Sequence, residues 1–264
     1  MAESEPIISL RDVSRVFHAQ RGDVVALSEV DLDINEGEFI TMVGPSGCGK
    51  STALNVIVGL LDATTGDVLF RGKPSRGINK EIGYVTQSDN LFPWRTVIEN
   101  VTFGLEMQGI GTKAERLDRA RQLLDRVGLN GFENHYRHEL SGGMRQRVNI
   151  VRTLAYDPKV ILLDEPFGPL DAQTRLQLQD LLLELWQERA GTTVIFITHE
   201  LTEAIALADR VVVMSARPGR VSEVVPVDIP RPRDIFSIQS EPSFRSIYDR
   251  IWEHLGEETK VAAL

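Results

Sequence analysis

Cysteine is almost missing from this chain of 264 residues; Cys48 stands alone. A disulfide framework is therefore excluded, and a reducing compartment is the expected setting. Long apolar runs are also missing. Runs such as 160–163, 194–197 and 211–214 have the length of strands. A membrane-spanning helix needs roughly 18 apolar residues, so any work at a membrane is expected to go through a partner. Met1-Ala2-Glu3-Ser4-Glu5 is acidic and has no apolar stretch, and is not read as a signal peptide. Positive charge is in deficit: 29 Lys and Arg against 38 Asp and Glu leave a net charge of −9. Phosphate contacts need a basic surface, so no nucleic acid is expected as the main partner. There is no internal repeat and no low-complexity segment.

What remains is an ordinary globular composition, 42% hydrophobic and 25% charged, in a chain of 29.5 kDa. That size allows one large α/β domain, or a core with a small subdomain. Residues from about 7 to 43 read as antiparallel β structure, with strands at Ile7-Ile8-Ser9-Leu10, Val24-Val25-Ala26-Leu27 and Val30 to Ile34. Two more strands are expected at 67–70 and 82–85. From about 88 to 156 the pattern turns helical, with segments at 96–107, 113–127 and 148–156. From Val160 strands and helices alternate, which predicts a parallel sheet with helices on its faces. The tail has a Pro/Arg linker, Ile229-Pro230-Arg231-Pro232-Arg233-Asp234. It ends in a helix with Phe244, Ile247, Tyr248, Ile251, Trp252 and Leu255 at helical spacing.

The chemistry begins at Gly44-Pro45-Ser46-Gly47-Cys48-Gly49-Lys50-Ser51-Thr52, which fits G-x-x-x-x-G-K-[ST]. The apolar run Phe39-Ile40-Thr41-Met42-Val43 precedes it, and a helical pattern from Ala53 follows. A strand thus feeds a glycine loop that opens a helix, so backbone N–H groups and the helix N-terminus converge on phosphate oxygens. Lys50 is expected to reach the β- and γ-phosphates and Ser51 to ligate Mg²⁺. A second apolar run, 160–163, ends in Asp164-Glu165. A buried parallel strand presents functional residues at its C-terminal edge. Asp164 is placed to hold Mg²⁺ through water, and Glu165 to polarise the water that attacks the γ-phosphate.

Leu140-Ser141-Gly142-Gly143-Met144-Arg145-Gln146-Arg147 supplies another anion site, with bare N–H groups and a hydroxyl at the start of a helix. With these residues the chain resembles the nucleotide-binding subunits of ABC transporters. This segment is similar to their LSGGQ signature, with Met144 where Gln is usual. The resemblance covers residues from about 7 to 225. Gln87 resembles the Q-loop glutamine, a metal- and water-sensing position. His199, in Ile197-Thr198-His199-Glu200, resembles the switch histidine; a polar cap on a strand end is its plainer reading. Phe17 resembles the aromatic that stacks on adenine, where a core aromatic is the alternative. Pro169-Leu170-Asp171 occupies the D-loop position, with Gly168-Pro169 in place of the commoner small residues.

The resemblance implies an α/β fold: an ABC-type P-loop NTPase core (1–87 and 157–228) with an antiparallel β edge subdomain. A helical subdomain (88–156) is inserted, and a linker and C-terminal amphipathic helix (229–264) follow. It implies ATP and Mg²⁺ as cofactors and a head-to-tail pair of ATPase subunits, a homodimer or a pair with a paralogue. Each site would mix Lys50, Ser51, Gln87, Asp164, Glu165 and His199 of one chain with Ser141, Gly142 and Gly143 of the other. It further implies an integral-membrane permease, an indirect solute-binding protein, and a peripheral place on the cytoplasmic face of the inner (plasma) membrane. Asn90-Leu91-Phe92-Pro93-Trp94 and the segment from Thr96 to Val101 resemble the nitrate/sulfonate/taurine importer group. Leu91 to Trp94 is read as a permease groove, or else as packing within the subdomain. Two other classes compete: an ABC protein acting on DNA or ribosomes, and a binder without turnover. The first usually has duplicated cassettes or coiled-coil insertions; the second does not need Glu165 and His199.

Overall fold

The structure, a computed structural model, describes residues 5–18, 20, 22–189 and 191–261. Up to residue 80 the chain forms β1 (Ile8–Phe17), β2 (Val24–Ile34), β3 (Phe39–Val43), α1 (Lys50–Val58), β4 (Thr65–Phe70) and β5 (Lys73–Pro74). From 81 to 188 come β6 (Ile82–Val85), α2 (Val97–Gln108), α3 (Lys113–Arg126), α4 (Gly142–Leu154), β7 (Val160–Asp164) and α5 (Ala172–Gln187). The rest forms β8 (Thr193–Ile197), α6 (Leu201–Leu207), β9 (Arg210–Met214), β10 (Val221–Pro226) and α7 (Pro242–Val261). The chain divides into two compact units, Met1–Lys80 with Arg189–Leu264, and Glu81–Glu188.

In the first unit an antiparallel sheet runs in the order β2-β1-β4-β5. On β2, Val30, Leu32 and Ile34 are buried while Asp31 and Asp33 are exposed, the alternation of a strand with one wet face. The two strands expected at 24–27 and 30–34 are one strand. Glu29, with φ 50°, and a register shift in the pairing with β1 absorb the break as a bulge. The unit's other β structure pairs β3 with β8 and β9 in parallel, and β9 with β10 antiparallel. β3 and β8 are buried at every residue, as parallel strands covered on both faces are. β10 was not expected: Val221-Ser222-Glu223-Val224-Val225-Pro226 does not alternate cleanly, and its pairing with β9 makes it a strand.

The tail packs within this unit. Phe244, Ile247 and Ile251 of α7 are buried, whereas Trp252 is 60% exposed, so the helix docks through a narrower stripe than its full aromatic content. The segment read as a linker is partly internal. Arg233 is buried and donates to the carbonyls of Ile205, Ala206 and Ala208 at the end of α6.

In the second unit β6 and β7 pair in parallel, Tyr84 opposite Leu162. α2 and α3 each begin with a capping box, Thr96 with Glu99 and Thr112 with Glu115. Helix α4 starts at Gly142, at the Ser-Gly-Gly read as a helix start and ahead of the helical run expected at 148–156. Ser141 caps it by accepting the Met144 N–H at 3.2 Å, and this satisfied first turn outweighs the low helix propensity of two glycines. The helical subdomain expected at 88–156 lies in this unit, which also holds β6, β7 and α5.

Candidate active site

In the first unit, buried β3 delivers the chain at Val43 into the loop Gly44–Gly49, and Lys50 opens α1. Gly49 has φ 106°, and a Cβ there would stand 2.6 Å from the Ala26 carbonyl oxygen, so only glycine fits. Lys50 is 7% exposed, and its Nζ donates to the carbonyls of Gly44 at 2.8 Å and Pro45 at 3.1 Å. Its ammonium is thereby tied to the loop's own carbonyls. Cys48 is buried, with Sγ 3.7 Å from Lys50 Nζ, and serves as packing beneath the loop. Ser46, Gly47 and Ser51 are exposed, and Pro45 and Thr52 half-buried. His199 stands two residues past Ile197, the end of buried β8; its side chain is 55% exposed and Nε2 lies 3.8 Å from Glu200 Oε1. Phe17 ends β1, half-buried, with the Arg15 guanidinium 4.8 Å from its ring centre. The ring is therefore not a core residue, and cations already pair with it.

In the second unit, β7 ends in Asp164, 9% exposed. Glu165 leaves the strand at φ 44°. A left-handed conformation is costly for any residue with a Cβ and ends the strand there. The Gln87 amide donates from Nε2 to Glu165 Oε2 at 3.3 Å. The Tyr84 hydroxyl donates to Asp164 Oδ2 at 3.3 Å. Burial and the Asp164 charge push the Tyr84 phenol up, so it stays a donor. Ser141 and Gly142 are exposed and Gly143 half-buried. The Ser141 oxygen accepts the cap bond, which leaves its O–H to donate outward. A Cβ on Gly143 would meet the Thr174 methyl at 2.9 Å. Asp171 caps α5 by accepting the Thr174 N–H at 3.0 Å.

Two residues of this unit carry no signal in the sequence. Tyr84 reads as one more strand residue. Asp89, two residues past Gln87, accepts from Arg137 at 2.7 Å and Arg145 at 3.0 Å. Burial works to raise the Asp89 carboxyl, but the Arg137 hydrogen bond, the Leu91 N–H and the two arginine charges together hold it below the usual range.

A strand–glycine loop–helix presenting a sequestered lysine, together with a buried strand ending in Asp-Glu, defines a P-loop nucleoside triphosphatase. Residues 27–168 match the family described as ABC transporter. The chain is 50% identical to an uncharacterized ABC transporter ATP-binding protein of Methanocaldococcus jannaschii, over 88% of this chain and 86% of the relative. It is 44% identical to the nitrate import ATP-binding protein NrtD of Synechocystis, over 96% and 97%. It is also 44% identical to the taurine import ATP-binding protein TauB of Escherichia coli, over 92% and 96%. The dimeric ATP-binding cassette MJ0796, solved after hydrolysis with ADP and Pi, superposes with a TM-score of 0.75 at 34% identity, over 84% of this chain and all of that one. The chain belongs to the ABC transporter family and is one of its ATP-binding ATPase subunits.

Proposed function

We propose that this chain hydrolyses ATP to drive uptake of nitrate, a sulfonate, taurine or a similar small solute through a separate permease. The nitrate and taurine import subunits, matched over nearly their whole length, support the solute class. The observation that carries the catalytic reading is the Gln87 amide on the Glu165 carboxylate, one residue past Asp164. A base that must take a proton from water needs a fixed orientation, and an amide donor supplies it.

In this reading the loop 44–52 cradles the phosphates with backbone N–H groups, and Lys50 turns from its loop carbonyls to the β- and γ-phosphate oxygens. Among the described residues no group of three or more His, Cys, Asp or Glu could hold a metal. A hydroxyl from Ser51, an amide oxygen from Gln87 and the Asp164 carboxylate are a hard-oxygen set. That suits Mg²⁺, which keeps waters and phosphate oxygens as its other ligands. Mg²⁺ when bound would neutralise charge building on the phosphates. Glu165 accepts the proton of the attacking water, and His199 holds a hydrogen bond to the γ-phosphate. Phe17 offers its ring to adenine. Ser141, Gly142 and Gly143 cap the nucleotide of a second copy, so the working unit is a pair of chains.

No helix among the described residues is long and apolar enough to cross a membrane. In this reading, supported by the import ATP-binding relatives, the partner is an integral-membrane permease met at the cytoplasmic face, with a solute-binding protein acting indirectly. Trp94 is 71% exposed and lies tilted against Phe92, 5.5 Å between rings, which itself meets Phe103 edge-on at 4.7 Å. An exposed aromatic braced by others is a favoured anchor for a partner. The reading is tested by phosphate release from MgATP by the purified chain, alone and with its permease. Turnover in both, faster with the permease, is expected; a chain that binds ATP and releases no phosphate in either state would refute it.

A further inference from the structure

Asp89 lies two residues past Gln87, in the segment that leaves β6, and its side chain is 12% exposed. Its Oδ1 accepts Arg137 Nε at 2.7 Å and the Leu91 N–H at 3.3 Å. Its Oδ2 accepts Arg137 Nη2 at 3.2 Å and Arg145 Nε at 3.0 Å. One carboxylate thus takes a two-pronged fork from one guanidinium and a third charged donor from another. The two arginines flank Ser141 in sequence. Arg137 stands in the 3-10 turn Arg137–Glu139, just before Leu140. Arg145 is in the first turn of α4 and also donates from Nη1 to the Leu140 carbonyl at 2.6 Å. The Arg145 N–H donates to the Ser141 carbonyl at 3.0 Å, and Ser141 Oγ caps Met144. From the next turns of α4, Arg152 donates to the backbone carbonyls of Asn90 at 2.9 Å and Asp89 at 3.3 Å. Asn90 itself is left-handed, with φ 45°.

Isolated surface ion pairs contribute little. This arrangement differs because the carboxylate is mostly covered and the guanidinium geometry is two-pronged, which fixes orientation as well as charge. We propose that Asp89 is a positioning residue that locks the signature segment, Ser141 and the start of α4, to the segment carrying Gln87. The proposal rests on the reading above that Ser141 acts on the nucleotide of a second copy. Asp89 touches no nucleotide; it acts through Arg145 and Arg137. A shift of the Gln87 segment is passed by Asp89 to Ser141, so the sensor in one chain biases how well that chain caps the other chain's site. None of the hydrogen bonds made by Lys50 involves these residues. Nucleotide binding by a single chain is therefore separable from pairing.

The test uses the full chain in a Glu165→Gln background, compared with Asp89→Asn, Asp89→Glu and Arg145→Gln added to it. MgATP affinity is measured by calorimetry and mass by light scattering over a protein titration. Amide exchange is followed in the nucleotide-free chain. With Asp89→Asn the protein concentration for half-pairing should rise on the order of 10-fold, equivalent to about 1.4 kcal/mol. MgATP affinity should stay within about 2-fold, Asp89→Glu should restore most of the pairing, and Met144 and Arg145 amides should exchange faster. Arg145→Gln combined with Asp89→Asn should add little to either alone. Pairing of Asp89→Asn equal to its background overturns the proposal. So does a loss of pairing matched by an equal loss of MgATP affinity, which marks a general structural staple. If the Glu165→Gln background itself fails to pair with ATP, the trans reading of Ser141 falls. The exchange of Met144 and Arg145 then decides alone whether Asp89 positions this segment, and unchanged exchange rejects it.

Discussion

The Tyr84 hydroxyl donates to Oδ2 of Asp164 at 3.3 Å, across the parallel pair β6 and β7. The bond joins the strand that leads to Gln87 with the strand that ends in the carboxylate pair. A hydrogen bond to a charged group contributes about 1.5–3 kcal/mol, and a residue that orients a metal-binding carboxylate alters metal affinity by about 10-fold or more. Tyr84→Phe keeps the ring and removes only the donor. It is expected to weaken Mn²⁺ binding to the nucleotide-loaded chain by about 10-fold or more, as read by electron paramagnetic resonance. Nucleotide affinity without metal should be unchanged. Equal Mn²⁺ affinity in the two proteins would show that Tyr84 is only packing.

Glu165→Gln keeps the size of the side chain and removes the proposed base. Hydrolysis should fall by about 10² to 10⁴ while MgATP affinity stays close to that of the parent. Lys50→Ala should fail earlier, at binding, since the ammonium held by Gly44 and Pro45 is the charge offered to the phosphates. Phosphate release and calorimetry separate the two. Turnover near the parent level in Glu165→Gln would remove Glu165 from the mechanism.

The phosphate loop was legible because its chemistry is local: glycines where backbone must approach phosphate, a lysine, and a buried strand before them. The strands 82–85, 193–197 and 210–214 were legible for the same reason, since continuous apolar runs bounded by turns have few other readings. The full length of α4 was not, because Gly142 and Gly143 argue against helix and only the Ser141 cap marks the start. Nor was β10, which the pairing with β9 defines. Asp89 and Tyr84 were silent because their roles depend on partners far along the chain: Arg137 and Arg145 for one, Asp164 for the other. Arg231 and Arg233 read as part of a Pro/Arg linker, and it took the fold to place Arg233 inside.

Trp94 and Leu91 were grouped in the sequence as one apolar stretch, and their burial separates them. Leu91 is 4% exposed and Trp94 71%. A polar residue at 91 should damage the subdomain itself, so the informative variant is Trp94→Ala. Its cost to stability should be below about 1 kcal/mol, as for other exposed positions. Loss of a central aromatic anchor costs about 2 kcal/mol or more, roughly 30-fold in affinity. Permease binding should therefore weaken by at least that factor, with MgATP affinity unchanged. Retention of the permease at parental affinity places the docking surface elsewhere.

Arg233 is 8% exposed and sits among carbonyls: Ala208 at 2.6 Å, Ile229 at 2.8 Å from Nη2, with Ile205, Ala206 and Val227 at 3.3 Å. Arg231 adds a bond to the Leu207 carbonyl at 2.7 Å and one to Asp209 at 2.9 Å. The last carbonyls of a helix have no partner within it, and a cation there is favoured by the helix dipole. The tail thus supplies the C-terminal cap of α6, the helix that follows His199 and Glu200. Arg233→Ala leaves several of these oxygens buried without a donor, at about 1–3 kcal/mol for an unsatisfied group. A loss of about 2–4 kcal/mol is expected from urea unfolding, allowing for partial relaxation. Arg233→Lys should recover little of it, because one ammonium cannot span a fork of carbonyls on both the helix end and the tail. Truncation after Ile229 should lose more than Arg233→Ala alone, since Phe244, Ile247 and Ile251 leave with it. An Arg233→Ala chain within about 0.5 kcal/mol of the parent would mean that water caps α6 as well as the tail does.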